Sequence, residues 1–583
     1  MKNTKSDSQI FENYADSFFA NTTTIKCSED FLGKNEENII ALLNKINIVF
    51  DEVSMPGFKR LGRRYLDLNF KYDEIINHND VPNNGLSFKE SITKSLEALE
   101  GCIRWHNPNA LFNITHSPML DTIALTLITK LYNPNSLWDI TSGKYTLLEK
   151  RVVKILASLA NWNTNNCGGI STFGGKATLM YAIKSGVNKA DKSTIIEGIN
   201  GNIVVLTSGA AHFSIESVCN YLGIGKKNCC RIPTGRNGTI DLKEFENMAR
   251  EYLKLDKKIG CIILSGGGTV NLSIDPVFSV RRIINKLAIE YKLDYIPHIH
   301  FDTVISWVWL FFQFTLDFKF TYIKSKVIVN KILKAYKLIK QVKYADSFGV
   351  DFHKTGLCPY SSSFFVTKNY KDILNLNNEL QNHISQDKYF GDVCNFDRTF
   401  ENSRSCSGVI TAYQVINRLG KQGFQSYLIY FLHVNELFKK IISQSYKDYF
   451  EVINKQSLGF EIVIKIHFLN TRISYKKMCQ FTVNDQQEYR QLCNEFSEFI
   501  NNHEFCEEGN TPFIGYITNY KFGNKNITIP AFLLYPVSMN LDEPQVKDIV
   551  NRLKLSVKKF NELKKSGKFI STKRWENAKE PPK

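Results

Sequence analysis

The middle of the chain contains the stretch YADSFGVDFHK, which occupies residues 344–354. Its first part has the length and composition of a short buried strand, and it ends on a His that is followed directly by a Lys. This pattern predicts an amine held at the end of a strand, and such an amine can form a Schiff base with a carbonyl compound. A lone His-Lys pair is weak evidence, because most lysines are solvated surface groups. The residues upstream therefore have to decide whether Lys354 is catalytic.

Length and composition indicate a soluble globular protein that can bury a large core. The chain has 583 residues, of which 43% are hydrophobic, and its formal net charge is +17. The basic residues are scattered, with small clusters at 324–343 and in the C-terminal tail. Because no basic stripe interleaved with aromatic residues stands out, we interpret this charge as solvated faces and expect no nucleic-acid binding.

The cysteines and the N-terminal residues favour a cytoplasmic protein. The thirteen cysteines form no C-x-x-C pair and no zinc spacing, and their odd number fits reduced thiols better than a disulfide framework. The first residues, MKNTKSD, contain no apolar segment, so no signal peptide is expected. The most apolar run, 304–314, is too short to cross a bilayer, and no membrane association is predicted.

Short apolar runs alternate with helical patterns between about residues 111 and 385. The apolar runs are 203–206, 261–264, 295–301 and 364–366, and the helical patterns are 176–189, 242–255 and 280–292. Apolar runs without polar alternation are typical of parallel strands buried on both faces. The alternation therefore predicts an α/β fold with a largely parallel sheet.

Three segments are predicted along the chain. Residues 1–110 form an N-terminal helical segment, in which 39–50 has the pattern of an amphipathic helix. Residues 111–385 form the large α/β domain. Residues 386–583 form a smaller α+β domain, with strand patterns at 460–468 and 527–535 and helix patterns at 483–502 and 545–564.

Distinctive residues lie at five junctions where a predicted strand gives way to a helix or a loop. Ligands of open α/β sheets bind at such junctions. At the first junction, Gly174 and Gly175 precede the helix that begins near Lys176. Free N–H groups at a helix start suit a phosphate, although a tight strand-to-helix turn explains the two glycines equally well.

The next two junctions carry a His and a Thr. His212 follows the strand 203–206, where an imidazole could lie over a flat aromatic ligand or simply cap a helix. Three glycines at 266–268 precede Thr269, which offers a hydroxyl beside a close approach of the backbone. An ordinary loop has the same composition.

The fourth junction is the sequence PHIHFD at 297–302. Side chains alternate along a strand, so His298, His300 and Asp302 lie on one face. H-x-H-x-D is a common spacing of metal ligands, and a metal site is one interpretation. The other is that Asp302 is a buried carboxylate that faces a pyridine nitrogen.

Together with His353-Lys354, the order of these junctions resembles the group II amino-acid decarboxylases. Gly-Gly at a helix start, then His, Gly-Thr, His-x-Asp and His-Lys follow one another between about residues 111 and 423. Members of this family decarboxylate glutamate, diaminobutyrate or aromatic amino acids with pyridoxal 5′-phosphate, on fold type I. The resemblance implies a large domain with a mostly parallel sheet, a smaller C-terminal α+β domain, an amino-acid substrate and a homodimer.

The resemblance also implies a role for each matched residue. Lys354 would hold the cofactor as a Schiff base, and Asp302 would pair with the protonated ring nitrogen, which keeps the ring an electron acceptor. His212 would stack on the ring, Thr269 would lie near the phenolic oxygen, and Tyr389 on a later loop would protonate the substrate carbon.

The remaining residues implied by the resemblance surround the phosphate and the lower face of the ring. Thr303 would lie under the ring, next to Val304. The phosphate would be lined by Gly174, Gly175, Lys176, Ser347 and His353.

The chain departs from the family around the phosphate. Lys176 stands where members have Ser or Thr, and Gly268 stands where many have the first Thr of Gly-Thr-Thr. The segment between Asp302 and Lys354 is also longer, with an inserted aromatic and basic stretch at 307–343. Cofactor binding could therefore be weaker or arranged differently.

The predicted activity is decarboxylation of an amino acid to its amine and CO₂. Three alternatives remain: another pyridoxal phosphate reaction on the same fold, a non-catalytic homologue, and a metalloenzyme that uses His298, His300 and Asp302. Arg404 could meet a substrate carboxylate or hold the small domain in place, and the sequence favours neither.

Overall fold

The computed structural model describes residues 39–54, 81, 85–99, 102–235, 238–314, 323, 325–377, 398–469, 473–482, 484, 486–501, 511–521, 528–539 and 541–569. The chain divides into two compact units. One comprises Met1–Asn107 with Ser497–Phe513, and the other comprises Pro108–Phe496 with Ile514–Lys583. The main sheet belongs to the second unit.

The first unit contains helix α1, Ile39–Ser54, and helix α2, Phe88–Glu97. The helix predicted at 39–50 is thus confirmed. Helix α2 begins with a capping box: the Ser87 hydroxyl accepts a hydrogen bond from the N–H of Glu90, and the Glu90 carboxylate accepts one from the N–H of Ser87.

The described residues form twelve strands, numbered in chain order. They are β1 Ala110–Leu111, β2 Gly168–Thr172, β3 Ile203–Ser208, β4 Cys229–Ile232, β5 Lys258–Ser265, β6 His298–Asp302, β7 Ser347–Asp351, β8 Ser363–Thr367, β9 Phe450–Val452, β10 Ile462–Ile466, β11 Phe513–Tyr520 and β12 Ile529–Leu534.

The α-helices that follow α1 and α2 are numbered in the same way. They are α3 Leu120–Tyr132, α4 Asp139–Ser142, α5 Tyr145–Leu159, α6 Gly175–Ala190, α7 Ile215–Tyr221, α8 Leu242–Lys254, α9 Val277–Glu290, α10 Lys326–Ile339, α11 Phe352–Thr355, α12 Lys371–Leu374, α13 Ser407–Ser445, α14 Tyr475–Met478, α15 Gln487–Ile500 and α16 Glu543–Lys565.

The main sheet has seven strands in the order β2-β8-β7-β6-β5-β3-β4. Neighbouring strands from β7 to β4 run parallel, whereas β8 runs antiparallel to both of its neighbours. Every side chain of β3, β6 and β7 is buried, as expected for strands that are covered on both faces. The predicted α/β fold with a mostly parallel sheet is confirmed.

The strand and helix patterns in the sequence match the main elements closely. The runs at 203–206, 261–264 and 364–366 lie in β3, β5 and β8, and the three helical patterns correspond to α6, α8 and α9. The prediction of a strand at 295–301 begins too early, because β6 starts at His298. Pro297 has no N–H to donate to a neighbouring strand, which accounts for the later start.

A second sheet is antiparallel and has five strands in the order β1-β11-β12-β10-β9. The strand patterns at 460–468 and 527–535 correspond to β10 and β12, and the helix patterns at 483–502 and 545–564 correspond to α15 and α16. Helix α16 begins with a capping box of Asp542 and Gln545. All four patterns therefore predict the correct type of element.

The described part of the inserted stretch at 307–343 belongs to the core of the second unit. It begins with the 3₁₀ helix Ser306–Phe314, in which Trp307 and Trp309 are fully buried, and it continues in α10. Helix α10 packs against this 3₁₀ helix and against α13. In the part of the chain that the structure describes, no helix is both long enough and apolar enough to cross a membrane.

Candidate active site

The carboxyl ends of the parallel strands meet at one edge of the main sheet. Four predicted junctions converge there, because β3, β5, β6 and β7 are neighbours that run in one direction. A cavity of about 450 Å³ opens at this edge. Its lining includes His212, Thr269, Asp302, Val304 and Lys354, together with Asn519 and Tyr520 from β11.

Lys354 lies on α11, the single helical turn that follows β7. Its Nζ is 2.7 Å from Oδ2 of Asp351, which is completely buried, whereas 23% of the Lys354 side chain is exposed. Burial alone would lower the pKa of Lys354, but the carboxylates of Asp351 and Asp302 outweigh it and raise that pKa above its usual value. Free of cofactor, Lys354 is therefore an ammonium ion.

Asp302 is the last residue of β6, and its carboxyl group faces the cavity. Its Oδ1 is buried and has no hydrogen-bond partner among the described residues. Burial raises the pKa of Asp302 to about 6, against the opposing effect of Lys354. An unpartnered buried carboxylate oxygen is costly, so this position suits a ligand that brings a positively charged N–H group.

His212 lies on the loop between β3 and α7 and is held as a neutral imidazole. Its Nδ1 accepts a hydrogen bond from the N–H of Ser214 at 3.2 Å and lies 2.7 Å from the Ser214 hydroxyl. Burial, with the positive charges of Lys354 and Arg231, lowers the pKa of His212 to about 4. Arg231 donates hydrogen bonds to the carbonyls of Ala211 and His212, which fixes the loop. A flat, uncharged ring at this position can stack on an aromatic ligand.

The loop that carries Thr269 is held by the buried carboxylate of Asp275. This carboxylate accepts hydrogen bonds from the N–H groups of Ser265 and Ile240, both at 2.7 Å. The carbonyl of Thr269 also accepts a hydrogen bond from the hydroxyl of Tyr535. The glycine-rich junction is therefore a fixed wall of the cavity.

Helix α6 begins beside the Lys354–Asp351 pair. Its N-cap, Gly174, has φ 150°, a conformation that L side chains rarely adopt, and no described side chain caps the helix. A Cβ on Gly175 would lie 2.9 Å from Oδ2 of Asp351 and 3.3 Å from Cγ1 of Val304, so only Gly fits there. Lys176 is exposed, and its Nζ lies 4.5 Å from the centre of the Tyr221 ring.

Three predicted cofactor residues lie behind the cavity. Ser347 begins β7, four residues before Asp351, which is roughly 13 Å along a strand. Its Oγ lies between Nε2 of His298 at 2.7 Å and Nδ1 of His300 at 2.8 Å, so the structure does not bring it to a phosphate at the sheet edge. The hydroxyl of Thr303 is fully buried and donates to the carbonyl of Gly349.

The third of these residues, His353, is part of the support of the site. Its Nε2 is 3.5 Å from Oδ2 of Asp351, and its ring packs on Tyr360 with 4.3 Å between ring centres. Burial lowers the pKa of His353. Tyr389 lies outside the described residues.

Two open questions from the sequence concern a metal site at His298, His300 and Asp302 and the role of Arg404. His298 and His300 do share one face of β6, but both are hydrogen-bonded to Ser347. In the described ranges, no three His, Cys, Asp or Glu side chains converge as a metal site would require. Arg404 is paired with Glu149 in the interior, so of its two candidate roles the structure supports the one of holding elements together.

Several residues of the site have no role predicted from the sequence. Asp351 was part of the motif, and its i, i+3 spacing to Lys354 is a signal that could have found it. Ser363, which donates to Oδ1 of Asp351 at 2.6 Å, comes from the neighbouring strand β8. Asn519 and Tyr520 enter the cavity from β11, far along the chain, and no local pattern indicates them.

The cavity fits pyridoxal phosphate on three independent counts. Lys354 offers an amine for a covalent bond, and the unpartnered oxygen of Asp302 offers an acceptor for a pyridinium N–H. The uncapped start of α6 offers backbone N–H groups to a phosphate. Each of these features lies at the same edge of the sheet.

Comparison with known proteins agrees with this geometry. The family described as pyridoxal-dependent decarboxylase conserved domain matches residues 77–464. A glutamate decarboxylase-like protein of Gibberella zeae is 25% identical over 189 residues, which are 32% of this chain and 36% of that protein. An L-2,4-diaminobutyrate decarboxylase of Acinetobacter baumannii is 23% identical over 301 residues, 49% of this chain and 53% of that protein. The chain therefore spans about a third to a half of these curated relatives.

Solved structures share the fold along most of the chain. The apo form of mouse CSAD superposes with a TM-score of 0.71 at 16% identity, covering 89% of this chain and 99% of that one. Oryza sativa TDC with PLP and tryptamine superposes with a TM-score of 0.67 at 15% identity, covering 96% of this chain and 99% of that one. At these identities the likeness concerns the fold alone.

The fold and the cavity together define a fold type I protein whose cofactor is pyridoxal phosphate. Within that class, the matched family profile covers more than half of the residues. The chain belongs to the pyridoxal-dependent decarboxylase family.

Proposed function

We propose that this protein is an enzyme that decarboxylates an amino acid to the corresponding amine and CO₂. The observation that carries the proposal is that two groups line the same cavity: the amine of Lys354 and the unpartnered carboxylate oxygen of Asp302. Family membership supports the reaction type, since a fold alone does not fix the chemistry.

Bound pyridoxal phosphate supplies an aldehyde to which amines attach and a ring that accepts the electrons of the breaking bond. Lys354 would hold the cofactor covalently until the substrate amine takes its place. Asp302 holds a proton on the ring nitrogen, which keeps the ring electron-poor. His212 would lie over one face of the ring, and because burial lowers the pKa of its imidazole to about 4 it would not take up the proton on the ring nitrogen.

The remaining roles concern the phosphate and the substrate carbon. We assign the phosphate to the backbone N–H groups that follow Gly174, with Gly175 kept small by Asp351 and Val304. Lys176 would add a positive charge if its side chain turned from Tyr221 towards the phosphate. Thr269 would lie beside the phenolic oxygen. Tyr389 remains the proposed acid that protonates the substrate carbon.

A homodimer is the proposed assembly, and the surface of α3 supports it. The outward face of this helix carries large apolar side chains, whereas Thr122 and Thr129 point inward. The exposed fractions reach 84% for Leu120 and 66% for Tyr132. A continuous apolar stripe of this kind is unusual on a monomer, and a second copy of the chain would cover it. Light scattering of the wild type and of Leu127→Glu tests this, because the variant should be monomeric.

A cytoplasmic location is also proposed, on the basis of thiol chemistry. The cysteines that the structure describes are all free thiols, and several are buried in the core. Free thiols are typical of a reducing compartment. Cell fractionation with an antibody to the chain would test the location.

The names of the relatives refer to chemically different amino acids, so the substrate of this protein has to be found by experiment. Purified protein loaded with pyridoxal phosphate is incubated with acidic, diamino and aromatic amino acids that carry labelled carboxyl groups. The proposal predicts release of labelled CO₂ and a stoichiometric amine from one class, and none with Lys354→Ala. A keto acid without CO₂ would indicate another pyridoxal phosphate reaction. A visible cofactor band without any product would indicate a non-catalytic homologue.

A further inference from the structure

The amine of Lys354 already has a defined position when no cofactor is attached. Its Nζ lies 2.7 Å from Oδ2 of Asp351, one turn back along the chain. In a covalent pyridoxal phosphate site this lysine is attached at one stage of the cycle and released at another. The structure therefore shows where the released amine can rest.

Asp351 is built into the fold more firmly than a surface carboxylate. It is the last residue of β7, completely buried, and its Oδ1 accepts a hydrogen bond of 2.6 Å from the hydroxyl of Ser363 on β8. The ladder places these two residues directly opposite each other. Gly175 at the start of α6 has no side chain and therefore leaves room for Oδ2 of Asp351. The positive end of that helix favours an anion at this point.

The other charged or titratable groups near Lys354 lie on several elements of the fold. Asp302 ends β6, and His212 follows β3. His353 precedes Lys354 on α11, and Tyr360 lies on the loop before β8. Burial is the largest influence on Lys354 and would lower its pKa, whereas Asp351, followed by Asp302 and Tyr360, raises it. Asp351 is thus the strongest anionic influence on this amine.

We propose that Asp351 is a positioning residue that captures the amine of Lys354 as an ammonium ion each time the substrate replaces it. This inference rests on the proposed function, because it assigns a step within that cycle. In the exchange, the bond from the cofactor carbon to the Lys354 nitrogen breaks and a bond to the substrate nitrogen forms. The nitrogen of Lys354 carries one hydrogen while it is bonded to the cofactor and three as an ammonium ion, so two protons pass to it from the substrate ammonium, which keeps one in its new bond. Paired with Asp351, the ammonium has no free electron pair and cannot attack again while the substrate reacts.

Part of the surroundings of this ion pair is accessible to solvent-sized molecules. Behind Ser363 lies a cavity of about 150 Å³ lined largely by hydroxyl groups, including those of Thr172, Ser361, Ser362 and Ser403. A water molecule occupies about 30 Å³ of liquid, so a few waters fit there. Ser363 therefore both lines this cavity and donates a hydrogen bond to the carboxylate of Asp351, which it holds in place without adding a charge.

The test uses the cofactor-free protein, so its result does not depend on whether the proposed reaction is correct. Acetylation of individual lysines by acetic anhydride is followed by peptide mass spectrometry over a range of pH. Only the free amine reacts, and a shift of one pKa unit changes its fraction about ten-fold. Asp351→Asn should make Lys354 react about ten-fold faster at pH 8, roughly the effect of such a shift. Ser363→Ala should act in the same direction but by a smaller factor.

Lys521 provides the control within the same molecule, because it is exposed and lines the same cavity as Lys354. Its acetylation should be the same in the wild type and both variants. Equal rates for Lys354 in all three proteins would overturn the proposal. So would an equal acceleration at Lys354 and Lys521, which would reveal general loosening. If Asp351→Asn does not fold, Ser363→Ala decides the question alone, since it removes one hydrogen bond and no charge.

Discussion

Two buried ion pairs lie near the same edge of the sheet, and they differ in how fully the hydrogen-bonding capacity of the cation is used. Arg404 is almost completely buried and donates to Glu149 at 2.5 Å, to the carbonyl and hydroxyl of Ser171, and to the carbonyl of Ser136. Among the described residues, Lys354 has one carboxylate in ion-pair contact, Asp351, and it also lines a cavity. The Arg404–Glu149 pair therefore connects elements of the fold, whereas the Lys354–Asp351 pair leaves an amine available for chemistry.

Sequence alone does not distinguish these two cations. Both follow recognisable motifs, and both are surrounded by polar residues along the chain. The difference appears only when the partners from other elements are known: Glu149 from α5 and Ser171 from β2 for Arg404, and the cavity wall from β11 for Lys354. The following experiments test whether the first pair provides stability and the second provides reactivity.

The largest expected effect on stability comes from Arg404→Ala. Removing Arg404 leaves Glu149 without the cation of a buried ion pair, which costs about 3–5 kcal/mol. Urea denaturation of the cofactor-free protein should show this loss of unfolding free energy. Arg418→Ala is the matched control, because Arg418 is largely exposed and pairs loosely with Asp121 at 3.9 Å. It should change stability by less than about 0.5 kcal/mol. If both variants unfold alike, Arg404 does not stabilise the fold.

Asp302→Asn should affect turnover and leave the fold intact. The amide cannot hold a proton on the ring nitrogen, so the charge that develops during reaction is less well stabilised. Loss of one such group typically lowers kcat about 10²–10³-fold. Steady-state assays on the substrate identified in the panel would measure this, with cofactor content checked by absorbance. Turnover equal to that of the wild type would restrict Asp302 to a structural role.

The affinity for pyridoxal phosphate should depend on pH through Asp302. Its pKa in the free protein is raised to about 6 by burial. Below that pH the carboxyl group is protonated and must release its proton before it can pair with a protonated ring nitrogen. Binding then releases a proton, so affinity should fall as the pH drops below about 6. Titrations from pH 5 to 8 should show this slope in the wild type and a flatter one in Asp302→Asn. Parallel slopes would place the titrating group elsewhere.

A smaller effect is expected at Lys176, where the chain departs from its family. If the amine turns from Tyr221 to the phosphate, Lys176→Ala should weaken cofactor affinity about ten-fold, or about 1.4 kcal/mol. Lys176→Thr should restore much of the loss, because a hydroxyl replaces one hydrogen bond to a charged acceptor. Titration of the cofactor-free proteins measures both. Equal affinity of the wild type and Lys176→Ala would show that the amine stays with Tyr221.

The fold was more accessible from the sequence than the details of the site. The apolar runs and capping residues located β3, β5, β8, α6 and α8, because these signals are local. The sequence predicts roles for Asp302 and Lys354 because Asp302 ends β6 and Lys354 follows the end of β7 within an ordered series of motifs, and these roles stay predictions. The contacts of Ser347 with His298 and His300 do not support its predicted role at the phosphate, since strand alternation gives its face but not its distance from the sheet edge. Asp351 has no predicted role: its i, i+3 spacing to Lys354 is a local signal, but its other partner Ser363 lies on another strand.

The most direct test of the account is to locate the covalent bond to the cofactor. The wild-type protein is loaded with pyridoxal phosphate, reduced with borohydride and digested, and the labelled peptide is identified by mass spectrometry. The account predicts one modified residue, Lys354, and no label at Lys176 or Lys521. A label on a different lysine, or no label on a folded protein, would contradict it.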